Sequence, residues 1–170
     1  MAYGVFISEN MTSIKDGSKL RSAKQATAIE NGSIVKLSGL VSGEDNLYTS
    51  AAITANTNAP IYLVDGTELI YSEETTKGID DYTNLADKPF RVRRTEVGDL
   101  FSVSEDNVTA LANDTVVVGN FLETPATGVK LKEKATALST DVSFGAKVIA
   151  RWTFGSRGTT MIRCEVTKVL

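Results

Sequence analysis

The one charged feature of the sequence with a definite shape is Lys88-Pro-Phe-Arg-Val-Arg-Arg94. On a strand, where side chains alternate between faces, Arg91 and Arg93 share a face opposite Phe90 and Val92, with Arg94 next along the chain. Guanidinium groups are planar multiple donors favoured at interfaces, so this basic stripe could dock against an acidic protein surface. The plainer reading is a solvated face paired to neighbouring acids. A second local positive excess, Lys15, Lys19, Arg21 and Lys24 against Asp16, lies nearer the amino terminus. Lys15, Lys19, Arg21, Lys24, Arg91, Arg93 and Arg94 are therefore the candidate partner-binding residues.

Little else in the sequence suits catalysis. The chain contains no histidine, which removes the commonest general base and excludes Ser-His-Asp and Cys-His arrangements. One cysteine and no histidine cannot supply a Cys/His zinc site. Asp80-Asp81 and Glu105-Asp106-Asn107 are the nearest approach to clustered calcium ligands, and neither has EF-hand spacing. Acidic pairs of the kind glycosidases use are formally available among the carboxylates, but most acids are solvated surface groups. No glycine-rich phosphate-binding loop occurs. The chain is thus expected to have no catalytic residue, no metal and no cofactor, and not to be an enzyme. Cys164, in the alternating run Met-Ile-Arg-Cys-Glu-Val, reads as a small buried hydrophobe.

Composition sets the class. Hydrophobic residues make up 42% and charged residues 23% of the 170, as in an ordinary globular chain able to bury one sizeable core. The net charge of −3 offers no positive field for nucleic acid or anionic lipid, so neither is an expected partner. Met1-Ala-Tyr-Gly-Val-Phe-Ile-Ser lacks the basic and apolar regions of a signal peptide, and no apolar run approaches the ~20 residues of a membrane span. A soluble protein made in the cytoplasm is the expectation. Under that reading the Asn-x-Ser/Thr triplets at Asn10, Asn31, Asn107 and Asn113 are turn chemistry rather than glycosylation sites.

The elements that must position these residues are mostly strands. Residues 1–31 read as an extended arm or loop, with two turns of helix possible over Ala23–Glu30, and residues 32–170 as a β-rich body. In the body, Ile34–Val41, Tyr48–Thr54, Phe90–Arg94, Leu100–Glu105, Thr115–Gly119 and Gly128–Lys134 are candidate strands. Asp65-Gly66, between the apolar runs Ile61–Val64 and Thr67–Tyr71, predicts a hairpin with a two-residue type I′ turn. A second hairpin joins Lys147–Phe154 to Thr159–Leu170 through Gly155-Ser-Arg-Gly158; its return strand turns Ile162, Cys164 and Val166 toward the core. Trp152 and Phe154 share a face and are read as core. Lys130, Lys132 and Lys134 alternate along one strand, where lysine commonly guards an edge. Short strands with turn signals between them predict an all-β sandwich or partly open barrel of antiparallel strands with little helix.

Ala26-Thr-Ala-Ile-Glu-Asn-Gly-Ser-Ile-Val-Lys-Leu resembles the phrase that opens the β domain of many small head proteins of tailed bacteriophages. Gly98-Asp-Leu-Phe-Ser-Val, Val118-Gly-Asn-Phe-Leu-Glu and Gly128-Val-Lys-Leu are similar to their later strands. The resemblance implies a capsid decoration, or cement, protein. Its partner would be the major capsid protein and possibly copies of itself as a trimer, and it would sit on the capsid surface of the virion and stabilise it. Residues before Glu30 would then form an arm gripping neighbouring subunits. Two alternatives stand beside it. One is a carbohydrate- or ligand-binding β module with Tyr48, Tyr71 and Tyr82 as a stacking platform. The other is a tail or head–tail joining component, which would form rings.

Overall fold

The computed structural model describes residues 4–54, 59–66, 82–155 and 157–170. Among them the chain forms β1 (Phe6–Asn10), the single-turn helix α1 (Thr12–Lys15), β2 (Leu20–Lys24), β3 (Ile34–Leu40), β4 (Leu47–Ala51) and β5 (Ile61–Val64). It continues with β6 (Phe90–Arg94), β7 (Leu100–Ser104), β8 (Val108–Thr109), β9 (Phe121–Glu123), β10 (Leu131–Lys134), β11 (Phe144–Phe154) and β12 (Thr159–Val169). Short 3₁₀ turns cover Gly17–Lys19 and Glu105–Asn107. The all-β expectation holds. The form is a closed barrel, β2-β4-β3-β5-β6, beside a seven-stranded sheet in the order β1-β7-β12-β11-β9-β10-β8. Pairing is antiparallel except between β2 and β4 and between β8 and β10.

One apolar cluster joins the two units. Period-2 alternation sends Val35 and Val64 into the barrel with Ala23, Phe90 and Val92. The intervening positions, Ile34, Ile61 and Leu63, point out of the barrel wall into the core of the sheet, against Phe101, Leu122, Val148 and Ile162. Phe101 packs between Phe6 and Phe144, with ring centroids 5.9 and 6.3 Å apart. Each such fully buried side chain contributes about 1.5–3 kcal/mol.

The terminal hairpin forms as expected, with Phe154 opposite Thr159 and both Gly155 and Gly158 at positive φ. Ile162, Cys164 and Val166 are buried, and so is Met161 on the opposite face. Trp152 departs from the core reading: it is 37% exposed and meets Phe154 edge-on at 5.8 Å.

The described residues 4–31 contribute to both units of the fold. β1 is an edge strand of the sheet, β2 closes the barrel, and Met11 and Ala23 between and within them are buried. The apolar residues of this segment are sparse but fall where two different cores need them. Ala23 and Lys24 belong to β2, and the chain up to Glu30 bends without forming helix. Gly98, at φ +92, makes the turn between β6 and β7, but that turn hands the chain from barrel to sheet instead of joining paired strands.

Asp65-Gly66 is not a type I′ turn, because neither residue has positive φ; the proposed return strand, residues 67–71, lies outside the described residues. Glycine is needed at 66 for a different reason. A Cβ there would sit 1.8 Å from Asn84 Oδ1. The I′ geometry occurs instead at Asn113-Asp114, both at φ 51, where Thr115 N–H donates to Ala112 O at 3.2 Å. That turn converts the strand expected over Thr115–Gly119 into a loop.

Candidate functional site

Two members of the basic stripe are ion-paired within the fold. Arg91 and Arg93 do share a face of β6, but both converge on Asp65, at the end of β5. Arg93, only 8% exposed, donates Nε–H to Asp65 Oδ2 and Nη1–H to Ser13 O at 3.1 Å. Arg91 donates Nε–H to Asp65 O at 3.0 Å and brings Nη2 within 3.1 Å of Asp65 Oδ2. This cluster ties β5, β6 and α1 together at the outer wall of the barrel, opposite Leu63 in the register. Arg94 is exposed, with Nη2 3.4 Å from Leu170 O. Lys19 pairs with Glu96, Lys15 is exposed and Lys24 is half-buried. The positive residues of α1 and β2 therefore do not form one face with β6.

Arg21 and Arg91, however, enter one groove. It has a volume of about 810 Å³, lies over β2 and β6, and is lined also by Tyr48, Tyr82, Asn84 and Phe90. The volume falls within the ~300–1,000 Å³ typical of small-ligand sites. Arg21 is exposed and is steadied by its own turn, Nη1–H donating to Ser18 O at 2.6 Å and to Leu20 O at 2.8 Å. Tyr48 and Tyr82 are half-buried. Two members of the expected tyrosine platform thus share one site, and Tyr71 lies outside the described residues. Beneath the groove, Asn84 belongs to a buried amide network. Its Nδ2–H donates to Ile29 O at 3.0 Å and to Asn31 Oδ1 at 2.9 Å, and Asn31 Oδ1 also accepts from Gly66 N–H at 2.8 Å. Asn107 Nδ2–H donates to Asn31 O at 2.8 Å. Asn31 and Asn107, read from sequence as turn residues, are structural amides at most 1% exposed.

A second surface is built by a carboxylate. Glu133 sits on the core-facing side of β10 beside Leu131 and is fully buried. Its Oε1 accepts from Val117 N–H at 2.8 Å and Asn120 Nδ2–H at 2.7 Å, and its Oε2 from Leu111 N–H at 2.8 Å. Next to it, Glu105 accepts from Val116 N–H at 2.7 Å and pairs with Arg151 at 2.7 Å. Gly119 N–H donates to Val148 O at 2.9 Å, and Val148 N–H to Asn120 O at 2.8 Å, fastening the loop to β11. Held this way, Leu111, Val117, Val118 and Ile149 remain 51, 55, 51 and 37% exposed around one loop. Exposed apolar side chains mark a contact site where they form one contiguous patch. Sequence reading passed over Glu133, although an acid at a core-facing position of an alternating strand was the available signal.

Of the remaining expectations, β10 has a strand on each side, so Lys130, Lys132 and Lys134 guard no edge. Lys130 Nζ donates to Asp106 O at 2.6 Å and Lys134 lies 3.9 Å from Glu123. In Glu105-Asp106-Asn107, Glu105 and Asn107 are committed to the contacts above; Asp80-Asp81 lies outside the described residues. Among the described residues no group of three His, Cys, Asp or Glu side chains is placed to hold a metal ion.

Cys164 is fully buried, and burial, with a smaller contribution from the Glu9 carboxylate, pushes its thiol far above the ordinary range. The native protein is expected not to react with a thiol-specific aromatic disulfide over an hour at pH 8, and to react at once in denaturant. Absorbance of the released thiolate measures both. Rapid native reaction would mean that the β11–β12 core opens readily.

No protein-family model, curated protein or solved structure matches this chain.

Proposed function

We propose that this chain is a non-enzymatic virion structural protein that binds the outside of a tailed-phage capsid and stabilises it. Its partner is the major capsid protein, and it is made in the host cytoplasm before joining the particle. The reading rests first on the resemblance carried by residues 26–37, 98–103, 118–123 and 128–131. The structural observation that supports it best is the apolar surface of Leu111, Val117, Val118 and Ile149, held rigid by two carboxylates before any partner arrives. Preformed contact surfaces lose little entropy on binding, and repetition over a symmetric shell multiplies a modest contact. Anything that binds only the assembled shell shifts the assembly equilibrium toward it.

Residues 4–30 include β1 and β2, so deleting residues 2–30 would remove β1 and open the barrel at β2. A point substitution is the cleaner test. Val118→Asp alters an exposed loop position and is expected to change stability by no more than about 0.5 kcal/mol. In co-sedimentation with expanded empty capsids of the phage that encodes the chain, the native protein is expected to bind saturably. Val118→Asp is expected to bind about tenfold or more weakly, the cost of placing a charge in an apolar contact. Absence of binding by the folded native protein overturns the reading. Closed rings of purified protein in electron micrographs would favour a tail or head–tail joining role instead.

A further inference from the structure

We infer that the groove between Arg21 and Arg91 is a saccharide site selective for acidic sugars, of the kind that carry a carboxylate on each ring. Four observations lead there. Tyr48 and Tyr82 are half-buried in the groove wall, presenting rings that are apolar in body and polar at the tip, which suits a sugar ring with an apolar C–H face and a hydroxyl rim. Arg21 reaches the groove with its guanidinium anchored through Nη1 alone to two backbone carbonyls, which orients the remaining donors. The planar guanidinium fork matches a carboxylate in two-point geometry. Arg91 reaches the groove already held by Asp65 O and Asp65 Oδ2, and is therefore positioned without a ligand.

Charge selects among anions. Arg21 and Arg91 are the cations among the groove-lining residues, and Arg91 is already paired with Asp65, which leaves a local excess of one positive charge within a chain of net charge −3. That excess suits one carboxylate at a time. It does not suit the phosphate on every unit of a nucleic acid, whose binding depends on many cations along its track. The groove is partly open to solvent, so a sugar ring of a short saccharide can enter it. This inference does not rest on the shell-binding role, since Val118 lies outside the groove lining, and each can fail without the other.

Trigalacturonate, cellotriose and an oligo-dT of twelve nucleotides are the probes, titrated separately into the full-length protein and followed by amide chemical shifts. Trigalacturonate is expected to bind saturably in the micromolar-to-millimolar range, to perturb Arg21, Tyr48 and Tyr82, and to weaken with added salt. Arg21→Gln and Tyr48→Leu, each with an unchanged melting temperature, are expected to lower that affinity about tenfold or more, the worth of one charge-assisted or stacking contact. Cellotriose is expected to bind at least tenfold more weakly. No saturable binding of trigalacturonate to the folded protein, equal binding of cellotriose, or indifference to both substitutions overturns the inference. Tighter binding of oligo-dT than of trigalacturonate replaces it with a single-stranded nucleic-acid groove.

Discussion

Asp65→Ala is expected to lower the unfolding free energy by about 3–5 kcal/mol, the range for breaking a buried ion pair by removing one partner. The loss is large because Arg93 cannot escape to water: it is 8% exposed, and its one other hydrogen bond described above is to Ser13 O. Removing the carboxylate strands that guanidinium against the wall where Leu63 enters the shared core. Asp65→Asn keeps an acceptor but not the charge, and is expected to lose less. The double substitution Asp65→Ala with Arg93→Met removes both charges and is expected to recover part of the loss, since apolar replacement of a buried pair is often tolerated. Urea unfolding of the three variants measures the series. A loss below about 1 kcal/mol for Asp65→Ala would show that the pair behaves as a solvated surface bridge.

Glu133→Ala is expected to cost a comparable amount, on the order of 3–5 kcal/mol, because three donors lose their acceptor at once. The change should be read at two places. Globally, the unfolding midpoint falls. Locally, the amides of Leu111 and Val117, whose hydrogens point at the carboxylate, should exchange much faster than those of β11 and β12 in the same sample. Shell binding should fall too, although Glu133 is buried and can touch no partner. Val118→Asp separates the two effects, because it should lower binding and leave both the midpoint and the amide protection in place. If Glu133→Ala leaves Leu111 and Val117 protected, the loop is held by its backbone turn and not by the carboxylate.

The strands most readable in the sequence were those whose apolar period and turn residues agreed, as in Ile34–Leu40, Phe90–Arg94 and the β11–β12 hairpin. Failures came where one residue type serves two purposes. Asp followed by Gly signals a tight turn, yet Asp65 is an ion-pair acceptor and Gly66 leaves room for Asn84. Alternation places Arg91 and Arg93 on one face, but only tertiary contacts reveal that Asp65 pairs with both of them there. The stretch from Asn10 to Glu30 reads as too polar for structure because its buried apolar side chains, Met11, Ala23 and Ile29, are widely spaced and divided between separate cores. The groove was half visible, through Tyr48 and Tyr82. What joined Arg21 to them was barrel closure between β2 and β6, a pairing between residues far apart in sequence.

The order of the seven-stranded sheet has a bearing on how the molecule comes into being. β12, last of the strands in chain order, lies between β7 and β11. A nascent chain leaving the ribosome can pair β1 with β7 early, but the sheet stays split until β12 has emerged. Until then β7 and β11 present unpaired edges, with Phe101 and Val148 uncovered. Folding dominated by such distant pairings is slow, on the millisecond-to-second scale typical of all-β domains. Synthesis that stalls short of β12 therefore leaves an aggregation-prone fragment, and yield should depend on how quickly β12 inserts once it has emerged.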